Sequence, residues 1–105
     1  MNIDIKSADG IAVASLCGEI DHHNAKEIRQ ELDSFILSNQ PKELSIDFKD
    51  ISFMDSSGIG LIIGRHKLIT ECGGKLIVKN PQLYIKRDLK LSGIERLVKI
   101  TCDKL

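Results

Sequence analysis

The sequence predicts a small α/β domain: one mixed sheet of about four strands, with helices mainly on one face. Three observations lead there. Short runs with the two-residue alternation of strands are interleaved with longer segments of helical period. The elements read in the order ββαβαβα, and the opening hairpin supplies the antiparallel part of the sheet. The chain has 105 residues, which suits one domain spanning 1–105 and leaves no room for two.

Ile3 and Ile5 alternate with Asn2, Asp4 and Lys6, the period of a strand. Ala8-Asp9-Gly10 is a turn, and Ile11 to Cys17 continue as a second strand, which makes a hairpin. Asn24, followed three residues later by Glu27, resembles a capping box with Asn in place of the usual Ser or Thr. The helix it opens runs to about Leu37, with Ala25, Ile28, Leu32, Phe35 and Ile36 on one face. Asn39-Gln40-Pro41 ends it. From Glu43 onward, Leu44, Ile46 and Phe48 point one way and Glu43, Ser45, Asp47 and Lys49 the other, so this strand has one buried and one wetter face.

A second helix runs from about Ser57 to Glu71, with Ile59, Ile62, Ile63, His66 and Ile69 sharing a face. Gly60 and Gly64 stack on one side of it, and each costs about 1 kcal/mol relative to Ala. That cost predicts a close approach of this helix to the sheet. Gly73-Gly74 ends the helix, and Lys75 to Asn80 form a strand. Pro81 leads into a third helix over roughly 82–92, which Gly93 terminates. Ile94 to Ile100 reads equally as a short helix or an edge strand.

Composition excludes several classes of function. Lys and Arg balance Asp and Glu at 15 each, so no basic footprint exists for nucleic acid or an anionic membrane. No apolar run reaches the length of a membrane span and the first residues are no signal peptide, so a soluble cytoplasmic protein is expected. Cys17, Cys72 and Cys102 lack CxxC spacing and read as reduced, partly buried small hydrophobes. No obvious oligomerisation stripe exists, and a monomer is expected.

The residues that invite a function are Asp55-Ser56-Ser57-Gly58, at the junction between a strand and a helix. A nucleophile elbow would need Gly two residues before the serine, but Met54 and Asp55 stand there for Ser56 and Ser57. Gly58, Gly60 and Gly64 miss G-x-G-x-x-G by one residue, and no P-loop pattern occurs. His22 and His23 have no third ligand at a familiar spacing, so neither a metal nor a cofactor is expected. Asp, Ser and Ser are all favoured helix caps, yet one cap is enough. Ser56 is expected to be exposed at the helix start. A phosphate there would meet free N–H groups and the positive end of the helix dipole, while adding about −1.5 to −2 charge beside Asp55. Such a residue suits a switch.

Gly18-Glu19-Ile20-Asp21-His22-His23-Asn24-Ala25, followed by Ile51 to Lys67 with its Asp55-Ser56-Ser57-Gly58-Ile59-Gly60 core, resembles the anti-sigma factor antagonists of sporulating bacteria. These belong to the STAS family, also found in general-stress regulators and anion transporters. The resemblance covers nearly the whole chain, and Asp21-His22-His23 is similar to the antagonist of the sigma-F system in particular. It implies a STAS domain that regulates transcription by binding, without catalysis of its own. The partner would be an anti-sigma factor that is also an ATP-dependent serine kinase, so binding frees the sigma factor. Phosphorylation of Ser56 would end the binding, and a PP2C-type phosphatase would restore it. Asp21, His22, His23, Asp55, Ser56, Ser57, Gly58 and Ile59 would form the docking surface. An antagonist of a stress-type switch kinase is the nearest alternative. A STAS module binding a nucleotide or small anion, or a small hydrolase using Ser56 or Ser57, represents other classes.

Overall fold

The computed structural model describes residues 2–103. Asp9 and Gly10 take φ of 54° and 82°, the two left-handed residues of a type I′ turn, whose twist matches that of paired strands. They join β1 (Asn2–Ala8) to β2 (Ile11–Ile20) as an antiparallel hairpin in which Ala8 faces Ile11. The chain continues through α1 (Ala25–Asn39), β3 (Glu43–Met54), α2 (Ser56–Glu71), β4 (Lys75–Lys79) and α3 (Leu83–Ser92). A short 3-10 turn, Ile94–Arg96, leads to β5 (Lys99–Thr101). The segment expected to be either helix or strand is therefore one after the other, and β5 adds a fifth strand to the four anticipated.

The strands lie in sequence order, β1-β2-β3-β4-β5, parallel from β2 onward. Each helix crossover steps one strand in the same direction, so right-handed connections put all three helices on one face. Burial follows that arrangement. The registered rows Ala12–Leu44–Leu76 and Ala14–Ile46–Val78 are buried, whereas Val13, Asp47, Ile77 and Lys79 on the opposite face are only half covered. Ser45, expected on that wetter face, is instead buried where it pairs with Val13 and Ile77. Ile28, Leu32 and Ile36 of α1, Leu61, Ile62 and Ile69 of α2, and Ile85 and Leu89 of α3 close the core.

Four local expectations are corrected. Asn24 does not cap α1 with its side chain; its Oδ1 accepts instead from the Asp21 N–H at 3.0 Å, because the loop before the helix has its own donors to satisfy. The buried face of α2 is Gly58, Leu61, Ile62, Arg65 and Ile69, not one containing Ile63, which is 44% exposed. The helix is apolar around much of its circumference, so hydrophobicity alone does not set its phase. Gly60 and Gly64 do not approach the sheet: a side chain at either position would meet open space. The close approaches belong to Gly58, where a Cβ would run into Met54, and Gly74, where it would meet the Pro41 carbonyl. Cys72 is half-buried as expected, but the free thiols of Cys17 and Cys102 are exposed.

Candidate functional site

Two loops meet at the carboxyl ends of β2 and β3, where sites in parallel sheets collect. Register shifts between Ser15 and Cys17 and between Gly18 and Glu19 bend the end of β2, with Gly18 at φ 125°, a conformation that favours glycine. The bend keeps Ile20 opposite Met54, so the two following loops emerge side by side.

Asp55 joins them. Its N–H donates to the Ile20 carbonyl at 3.1 Å, and its carboxylate accepts from the Ser57 N–H at 2.8 Å and the His22 N–H at 3.3 Å. The first of these carboxylate contacts caps α2. Asp21 organises the other loop, its Oδ1 accepting from the N–H groups of His23 (2.9 Å) and Asn24 (3.0 Å). Asp21 is thus half-buried and occupied with its own loop, while His22 and His23 are exposed, their rings edge-to-face with centroids 6.0 Å apart. Among the described residues no group of three or more His, Cys, Asp or Glu is placed to hold a metal ion.

With Asp55 as the cap, neither serine is needed for it. Ser56 is the first residue of α2 and exposed; Ser57 is half-buried; Gly58 is buried. The two serines face different surroundings. Ser56 opens on a notch of about 200 Å³ lined with Met54, Asp55, Ile59 and Asp88 of α3. Ser57 lies at the end of a groove of about 530 Å³ between α1 and α2, which carries His22, Lys26, Arg29 and Arg65. Ile59 is half-buried against the core and Leu61 is buried, so only Ile59 is left to contribute to a surface.

Asp88, the basic side chains of the groove and the exposed Phe53 beside the site did not stand out in the sequence. Lys26 and Arg29, one helical turn apart, and the glycine pair Gly60 and Gly64 were the available signs of the groove.

The Asp55 carboxyl is held below its ordinary value of 3.8, chiefly by the Ser57 backbone N–H and then by His22, with partial burial opposing. A carboxyl depressed on folding stabilises the native state above its unfolded pKa, and this is lost as pH falls through the folded value. Asp55→Asn is therefore expected to flatten the acid side of the stability curve. Its urea midpoint should fall less than that of the parent chain between about pH 5 and pH 3; identical acid slopes would exclude this role.

A mixed sheet with three crossover helices on one face, and an exposed serine at the start of the second, sets this chain among the small α/β regulatory-type folds. The chain belongs to the STAS domain family, whose pattern matches residues 2–104. It is 34% identical over 100 residues to the anti-sigma F factor antagonist of Paenibacillus polymyxa, covering 95% of this chain and 86% of that protein. It is 31% identical over 101 residues to the anti-sigma-B factor antagonist of Bacillus subtilis strain 168, covering 96% and 91%. The anti-sigma factor antagonist SpoIIAA has been solved in two forms, each 27% identical over 98% of this chain. The unphosphorylated form matches with a TM-score of 0.84 over 89% of its chain, and the phosphorylated form with 0.77 over 92%.

Proposed function

We propose that this protein is an anti-anti-sigma factor switched by phosphorylation of Ser56. In its unphosphorylated form it binds an anti-sigma factor that is also a serine kinase, and so releases the sigma factor. The kinase modifies Ser56, the complex separates, and a PP2C-type phosphatase resets the protein. It acts as a cytoplasmic monomer without catalysis of its own. No helix among the described residues is long and apolar enough to cross a membrane. The docking surface consists of Asp21, His22 and His23 from one loop and Asp55, Ser56, Ser57, Gly58 and Ile59 from the other.

The observation that carries this reading is the division of labour at the start of α2. Asp55 caps the helix, so the exposed Ser56 hydroxyl has no structural duty and can be modified without loss of a cap. Relatives named as antagonists of anti-sigma factors support the partner class, and SpoIIAA in phosphorylated and unphosphorylated forms supports the switch. The two relatives are nearly equally identical to this chain, so assignment to a sporulation sigma factor rests on Asp21-His22-His23.

Incubation with the cognate anti-sigma kinase and Mg-ATP, followed by intact-mass measurement and peptide sequencing, tests the proposal. One added phosphate on Ser56, absent in Ser56→Ala, is expected. Phosphate on Ser57 would keep the mechanism and move the site. No phosphate from an active kinase would sink the proposal.

A further inference from the structure

The groove between α1 and α2 has features that the fold does not require. Gly60 and Gly64 lie along it, and nothing stands within 4 Å of where a side chain would project from either. Each glycine lowers helix propensity by about 1 kcal/mol relative to Ala, and packing gives no reason for it. What the two glycines do create is room beside the α2 backbone.

Around that room the charge is of one sign. Lys26 and Arg29 from α1 and Arg65 from α2 line the groove, and none of its lining residues is acidic. Arg65 is only 7% exposed. Its Nε lies 2.7 Å from Asp33 Oδ1, yet neither atom makes a properly aligned hydrogen bond. Burial lowers the Arg65 pKa, Asp33 opposes that, and Arg29 lowers it further, so the two guanidinium groups share one field. Among the described residues Asp33 is the one carboxylate in ion-pair contact with these three cations, and that contact is with Arg65, so positive charge is left over. A desolvated charge of this kind gains most from a carboxylate that arrives with its own partner surface.

We propose that this groove receives an acidic segment of the anti-sigma partner, extending the docking surface down from Ser57 and His22; the inference rests on the function proposed above. Its dimensions favour a peptide segment over a free anion. From Ser57 to Arg65 the groove follows α2 for about 12 Å at 1.5 Å per residue, the span of several residues and far longer than a phosphate. It is also continuous with the two loops that carry the switch, since His22 and Ser57 line its end.

Titration calorimetry of the full chain against the kinase that modifies Ser56, at two salt concentrations, tests this. Arg29→Glu should weaken binding at least tenfold and reduce its salt dependence. Gly64→Leu fills the groove while raising helix propensity, so it should keep or raise the melting temperature and still weaken binding about tenfold. Both variants binding within twofold of the parent chain would overturn the groove and leave the proposed function standing. Failure of the parent chain itself to bind would remove both. ATP or inorganic phosphate shifting the Gly60 and Gly64 amide resonances, with partner affinity unchanged in Arg29→Glu, would make the groove a free-anion site and overturn the proposal.

Discussion

Ser56→Asp is expected to weaken binding to the anti-sigma kinase by roughly 30-fold, or about 2 kcal/mol, and phosphorylation by more, because like charges set against a partner surface cost several kcal/mol. The folded chain itself should tolerate the charge. Ser56 is the first residue of a 16-residue helix, where an anion is favoured by free N–H groups and the dipole. Its hydroxyl is exposed, so no packed neighbour has to move. What opposes the anion is local: Asp55 and Asp88 line the same notch. A partner that closes this notch would confine the added charge with two carboxylates in a drier medium, and the like-charge repulsion would rise. Calorimetric titration and a thermal melt of the same variant form the check. Affinity should fall while the melting temperature stays within a few degrees. Retained affinity would exclude charge conflict as the release mechanism, and a large loss of stability would point to refolding instead.

How much of this was legible depends on how local each determinant is. The Asp55-Ser56-Ser57-Gly58 junction could be read directly, because capping and the strand-to-helix change are decided within a few residues. The central strand was nearly as plain: Leu44, Ile46 and Phe48 share one buried face, but Ser45 on the other face is buried too, because neighbouring strands cover it. Asn24 misled because a capping residue is recognised by type, whereas its partner depends on how the preceding loop folds, and Asp21 supplied a competing donor. Gly60 and Gly64 were rightly singled out but given the wrong neighbour. Sequence shows that a helix carries a cost; only the pairing of α1 with α2 shows that the glycines face a groove and not the sheet. Asp88 and Ser56 are 32 positions apart and meet only because α3 crosses back beside the start of α2. No local pattern records that meeting.

Phe48→Ala should produce the opposite signature, a large loss of stability with little change in intrinsic affinity. Phe48 is fully buried in β3, which has β2 on one side and β4 on the other. Removing a buried aromatic ring costs about 3–5 kcal/mol through lost transfer energy and the cavity left behind. Small domains have only about 5–15 kcal/mol in total. A fall in melting temperature of more than about 10 °C is therefore expected, and a fall below about 3 °C would mean that the core is not packed around this ring. The partner should still recognise those molecules that remain folded. The docking loops are held by contacts of their own, from Asp55 to Ile20, His22 and Ser57 and from Asp21 to His23 and Asn24, and none of these involves Phe48. Calorimetry at low temperature should accordingly show a reduced active fraction with an unchanged dissociation constant. Set against Ser56→Asp, this separates the two duties of β3. Its middle holds the sheet together, and its end delivers Asp55 to the loop junction, so the phosphate proposed for Ser56 would be added and removed without the core taking part.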